Sequence, residues 1–255
     1  MNATDPTARG SVSASNPTRD GSGEASLNAQ AASTEASSPL PDGATDWLVW
    51  QWVDSAFPTG GFAHSAGLEA AWQLGEIDGR RGLGAFLEAS LQQAGPAGLP
   101  FVMAAHRQPS DLPMLDLRCD AWLTNHVANR ASRLQGRALW TAVERAFLPA
   151  AGSAPAPGHL APVFGAMLAR LGVGADRAAS LFLFQHLRSL LSAAVRLGVV
   201  GPLEAQRLQH RLGPLGQSIA HRFREASLDD LAQTAPLLDL WQGAQDRLYS
   251  RLFQS

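Results

Sequence analysis

The chain has 255 residues, 45% hydrophobic and 16% charged, with a formal net charge of -2. All 20 basic residues are arginine, which excludes a Walker-type phosphate loop, a Schiff-base lysine and a kinase-type Lys–Glu pair. The near-neutral balance offers no electrostatic footprint for nucleic acid or an anionic membrane, and the single cysteine, Cys119, excludes an internal disulfide and a cysteine-built zinc site.

Residues 1–45 have Met1, Val12, Leu27 and Leu40 as their only large apolar side chains. Such a segment buries too little apolar area to offset its ordering entropy, so a disordered extension is expected. It has no charged run followed by an apolar core, and no stretch of about 18 consecutive apolar residues follows, so a secretory signal and a membrane span are not expected and the cytoplasm is. Thr45 or Asp46 can cap a first helix opening at Trp47, with Trp47, Leu48, Trp52 and Val53 on one face.

Helical spacing continues through Leu68, Ala71 and Trp72, then Leu83, Phe86, Leu87, Ser90, Leu91 and Ala94. Gly95, Pro96 and Gly98 predict a break, with a short helix around Val102, Met103 and His106 beyond it. Leu115, Trp122, Leu123, Val127 and Arg130 read as one helix, and Leu134 through Phe147 as the next after a break at Ser132. Residues 149–158 form a Pro/Gly/Ala loop. Val163 through Leu171 form another helix, and Asp176 caps a long apolar helix through Val195, expected to be the most buried element. Helices follow from Leu203 toward Phe223 and after Ser227. Alternating β-branched strands are missing, so the spacing predicts an all-α single-domain bundle of roughly ten helices over residues 46–255.

The local sequence with most chemical content is Phe57-Pro58-Thr59-Gly60-Gly61-Phe62-Ala63-His64-Ser65-Ala66-Gly67-Leu68-Glu69. Ala63–Gly67 is one residue from a G-x-S-x-G nucleophile elbow, which makes a serine hydrolase with Ser65 the alternative reading. That elbow needs a strand before the serine, and Pro58 through Phe62 read as a loop. The bland reading is a tight turn between two helices, with His64 or Ser65 near the second N-cap and Glu69 in its first turn. Phe57 and Phe62 flanking the turn suit a docking surface.

The seven histidines include no H-x-H or H-x-x-x-H pair and supply no intrinsic metal site. His64 and His159, in glycine-rich loops, are the two that could contact a metal in transit. Arg130, Arg133, Arg137 and Arg188 read as solvated faces with apolar stems, whereas Arg196, on the most apolar helix, is expected to make a specific pair. The ending, Tyr249-Ser250-Arg251-Leu252-Phe253-Gln254-Ser255, has the composition of an interface. From residues alone it docks equally well on its own domain or on a partner.

Asp54 through Glu69 resembles the N-terminal signature of the urease accessory protein F family. Three further segments are similar in order: Gly158-His159 with Pro162-Val163-Phe164-Gly165, Leu181–Phe184 running to Ser192–Leu197, and Tyr249–Ser255. Together the matches span about residues 47 to 255. Two departures stand out. Gly198–Leu203 replaces the I-P-L-G-Q-T of many bacterial members and is similar to the plant variant. Gln245-Asp246 replaces the usual His-Glu pair.

The resemblance implies an all-α cytoplasmic protein that is not itself an enzyme and holds no cofactor. It implies a chaperone or adaptor that binds urease accessory protein D (also called H) and recruits the nickel-carrying GTPase accessory protein G. The assembly then supports GTP-dependent nickel insertion into apo-urease. It also implies a homodimer within the complex and a tail, residues 237–255, ordered on binding the D/H protein. On that reading the contact residues are Phe57, Pro58, Gly60, Gly61, Phe62, His64, Ser65, Gly67, Glu69, Arg196, Tyr249, Arg251, Leu252 and Phe253.

Overall fold

The computed structural model describes residues 44–149 and 152–255, within one compact unit. The disordered extension expected for residues 1–45 lies almost wholly outside the described residues. Among the described residues there are nine α-helices, four short 3-10 turns and no strand, an all-α architecture. The helices are α1 (Ala44–Val53), α2 (Leu68–Gln73), α3 (Gly79–Arg107), α4 (Leu112–Trp122), α5 (His126–Ala146), α6 (Leu160–Arg170), α7 (Ala175–Arg196), α8 (Pro202–Arg222) and α9 (Pro236–Ala244).

Two departures from the sequence reading come from packing. Helix α3 runs unbroken through Pro96 and Pro100, although each proline removes a helical hydrogen bond. Tertiary contact supplies the compensation: a side chain at Gly98 would meet the Phe182 ring at 2.6 Å, so its absence lets α7 lie directly against α3. The Pro96 carbonyl accepts from Ala232 N–H at 3.3 Å. The break expected at Ser132 falls instead at residues 123–125. There the Asn125 side chain accepts from Val127 and Ala128 N–H at 3.0 and 3.2 Å and caps α5.

The most enclosed element is α6, not α7: every residue from Ala161 to Leu168 is buried. Helix α7 packs on α3 and α8 and leaves Phe184 39% exposed. By length and composition α7 is also the one described helix apolar enough to cross a membrane, with half of its most apolar window buried in this fold. On α1 the buried pair is Val49 and Trp52, one turn apart. Trp47, placed on the inner face by the spacing, is 74% exposed and stacks edge-on with Trp50.

An interior cavity of about 450 Å³ lies behind the α1–α2 connection, lined among others by Trp52, Phe182, Ser90 and His186. His186 pairs with Ser90 Oγ at 2.8 Å. It is half-buried and lines the cavity. Burial pushes its pKa down to about 4 from an ordinary 6.5. The unfolded chain therefore takes up a proton near pH 6.5 that the fold refuses until about pH 4. Stability is retained above pH 6.5 and falls as the pH drops through that window, by about 3 kcal/mol at most. Urea unfolding at pH 7 and pH 5 should show this loss, and His186→Gln should shrink it; an unchanged slope in the variant would refute the assignment.

Candidate functional site

Three left-handed residues shape the α1–α2 connection: Gly60 at φ 73°, Ala66 at φ 49° and Gly67 at φ 86°. Only glycine adopts this region without strain, so Ala66 carries a cost of roughly 1 kcal/mol that the surroundings must offset. A 3-10 turn at Gly61–Ala63 sits between them. The N-cap of α2 is Gly67, not His64 or Ser65. Ser65 still serves the helix start, accepting from Leu68 N–H at 3.0 Å through its carbonyl and from Glu69 N–H at 3.4 Å through Oγ.

The C-terminal segment folds back onto this connection. Glu69, fully buried in the first turn of α2, organises the contact. Its carboxylate accepts from Leu252 N–H (2.6 Å), Phe253 N–H (3.1 Å), Gln245 Nε2 (2.6 Å) and Gln73 Nε2 (3.3 Å). A buried carboxylate is tolerated when its lone pairs are filled in this way. Gln254 N–H donates to the Ala63 carbonyl at 2.8 Å, and Ser65 N–H and Oγ donate to the Ser255 carbonyl at 2.5 and 3.0 Å. His64 Nδ1 lies 2.6 Å from Ser255 Oγ. Burial, reinforced by the Arg130 charge, holds the His64 pKa below its ordinary value.

Arg196 makes the specific pairing its position suggested. Its guanidinium lies between the rings of Phe62 and Phe253, 4.0 and 4.3 Å from their centroids, and donates to the Phe62 carbonyl at 2.6 Å. It joins α7, the turn and the tail in one contact. A second clamp forms at Asp246, which accepts two bonds from Arg130 at 3.1 and 2.8 Å, one from Arg251 at 3.0 Å and one from His126 at 3.1 Å. The Arg130 bonds are the main reason its carboxyl titrates below the ordinary range. Arg130 is therefore a tail contact and not merely a solvated face.

The outer surface of the folded-back tail is mixed, with Tyr249 and Leu252 set among exposed Asp246, Arg247, Ser250, Arg251 and Gln254. Tyr249 is fully exposed, Phe62 67% and Leu252 59% exposed, and α9 adds Leu237 and Leu240 beside them in sequence. Phe57, grouped with Phe62 by the sequence reading, is instead half-buried and stacked between Trp52 and Phe147 at 5.4 and 5.8 Å. Pro58 is exposed and Gly61 is buried against Ser189. The contact residues missed from sequence are Gln73, Arg130, Gln245 and Asp246. Their only signal was the departure from the His-Glu pair, and its meaning depends on a residue 176 positions away.

His159 lies elsewhere. It is fully buried at the start of α6, with Nε2 3.0 Å from Asp120 Oδ1 and Nδ1 3.1 Å from Ser132 Oγ. Asp116 accepts from the Gly158 and His159 N–H groups at 2.6 Å each. Both ring nitrogens thus face protein partners, and burial keeps the imidazole pKa low. Burial likewise pushes the Cys119 thiol well up, which disfavours the thiolate that metal binding or attack would need. Among the described residues no group of three His, Cys, Asp or Glu side chains is placed to hold a metal ion. Ser65 is fully buried, and no strand precedes it among the described residues, so the geometry of a nucleophile elbow is absent there.

The family model described as UreF matches residues 77–213. A urease accessory protein F of Arabidopsis thaliana is 37% identical over 221 residues, covering 82% of this chain and 92% of its own length. The chain belongs to the urease accessory protein F family. A rice relative of the same name (Oryza sativa subsp. indica) is 35% identical over 219 residues, covering 81% of this chain and 84% of its own. The urease accessory protein UreF of Mesorhizobium japonicum is 32% identical over 209 residues, covering 80% and 93%. The UreF model match includes the Arg130, His159 and Arg196 positions but neither the Gly60–Glu69 turn nor the tail.

Proposed function

We propose that this protein is an adaptor in urease maturation whose docking surface is the composite of the α1–α2 turn and the folded-back tail. It binds urease accessory protein D/H in the cytoplasm, and the pair recruits the GTPase accessory protein G and supports GTP-dependent nickel insertion into apo-urease. The chain acts by shape, as a homodimer within that complex. GTP chemistry belongs to the partner.

The observation that supports this most is the two-sidedness of the tail. Its inner side is spent on Glu69, Ser65 and Arg196, while its outer side presents Tyr249 and Leu252 to solvent and the adjoining turn presents Phe62. An aromatic and apolar face held rigidly by buried hydrogen bonds is what a pre-organised interface requires, because little side-chain and loop entropy remains to be lost on binding.

The test is co-purification with the D/H-type partner using Tyr249→Asp plus Leu252→Asp. Both side chains point to solvent, so the melting temperature should hold. Loss of two central anchors, about 2 kcal/mol or more, should weaken binding at least about thirtyfold. A stable double variant that still co-purifies at wild-type yield would remove the tail from the interface.

A further inference from the structure

On another face of the bundle an open groove of about 940 Å³ runs between the α1 end of the turn and helix α5. Phe57 and Pro58 form one wall, and Ala138 and Ala142 form the apolar part of the other. Two arginines on α5, Arg137 and Arg145, also line it. Eight residues apart, they stand about 12 Å from each other along the helix.

Their charge is only partly offset, by Asp54 on the facing wall. Helix α5 contains Arg130, Arg133, Arg137 and Arg145 against Glu144 as its sole carboxylate. Arg130 is taken by Asp246. Among the described residues Arg145 makes no ion pair or hydrogen bond, and Arg137 uses only Nε, donating to the Pro157 carbonyl at 2.9 Å. That bond, with Gly158 close against the Arg137 stem, fixes the side chain and leaves its two terminal nitrogens for an acceptor. Among the described lining residues Asp54 is the only carboxylate, and it already accepts from Ala56 N–H at 2.9 Å and Ser55 Oγ at 3.3 Å.

We propose that this groove receives an acidic helix of another protein, with small apolar residues toward Ala138 and Ala142 and two carboxylates two turns apart against Arg137 and Arg145. Arginine suits the role because its planar fork takes a carboxylate bidentately. The groove shares Phe57 and Pro58 with the α1–α2 turn but includes no tail residue, so variants at Arg137 and Arg145 test it separately from variants at Tyr249 and Leu252.

The probe is an 18-residue alanine-based stapled helix with glutamates at positions 6 and 13, compared with its glutamine counterpart, titrated against the full chain by fluorescence anisotropy. The glutamate helix should bind about tenfold more tightly at low salt, the worth of two partly screened pairs on an apolar floor, and the preference should shrink as salt rises. Arg137→Gln plus Arg145→Gln should abolish it. Arg145→Gln alone, at an exposed position, should reduce it about threefold if the double variant proves unstable. Equal binding of the two helices, or a preference that survives these substitutions, would overturn the proposal. So would a self-associating chain that Arg137→Glu plus Arg145→Glu converts to monomer, since the occupant would then be a second copy.

Discussion

Replacing Glu69 by alanine is expected to release the C-terminal tail and to lower stability by about 3 kcal/mol. The carboxylate fills four N–H groups, two of them the backbone amides of Leu252 and Phe253. Each buried donor left without an acceptor costs about 1–3 kcal/mol. The tail can escape most of that cost by undocking into water, so the loss is capped at the free energy that holds it down. Undocking also strands Arg196, which loses Phe253 from one face of its guanidinium. Limited trypsinolysis gives a direct readout, because Arg247 and Arg251 lie within the tail. Cleavage there should accelerate by about a hundredfold, the ratio that 3 kcal/mol implies when opening is fast. A Glu69→Ala protein cleaved at the wild-type rate would show that the carboxylate does not hold the tail.

Gly67→Val should be more damaging still, by about 4 kcal/mol, and should act through a different contact. At φ 86° a β-branched residue is strained by about 1–2 kcal/mol on its own. Its Cβ would also lie 2.9 Å from the Gln242 backbone nitrogen and 3.3 Å from the Leu238 carbonyl, so α9 would have to move off α2. Helix α9 carries the chain into Gln245 and Asp246, and its displacement pulls both tail clamps out of register. The melting temperature should fall by about 10 °C, at a few degrees per kcal/mol for a domain of this size. A drop no larger than that of Gly75→Val, which has open space around it at φ 77°, would show that α9 packing is not what Gly67 protects.

These expectations also revise the reading of the tail. From residues alone it docked equally well on its own domain or on a partner. With Phe253 and Ser255 buried and Glu69 dependent on its amides, truncation removes part of the core's hydrogen bonding as well as a docking face. Surface substitutions at Tyr249 and Leu252 therefore separate binding from stability, and a deletion does not.

Local and composition-level features were legible in the sequence. The all-α class followed from apolar spacing at three and four residues. The tight turn between α1 and α2 followed from its proline and glycines, and the exclusion of phosphate-loop chemistry from the missing lysine. Each is decided within a turn or two of chain or by a residue count. Only tertiary structure decided the continuity of α3 through Pro96, where α7 packs at Gly98, and the placement of the α4–α5 break at Asn125. The same holds for the partners of Arg196 and Glu69, and for the inward turn of Phe57 while Phe62 stays outside. The reason is physical. A proline's cost, an arginine's partner and a carboxylate's acceptance of burial are set by what arrives from distant parts of the chain, and periodicity along the chain carries no record of it.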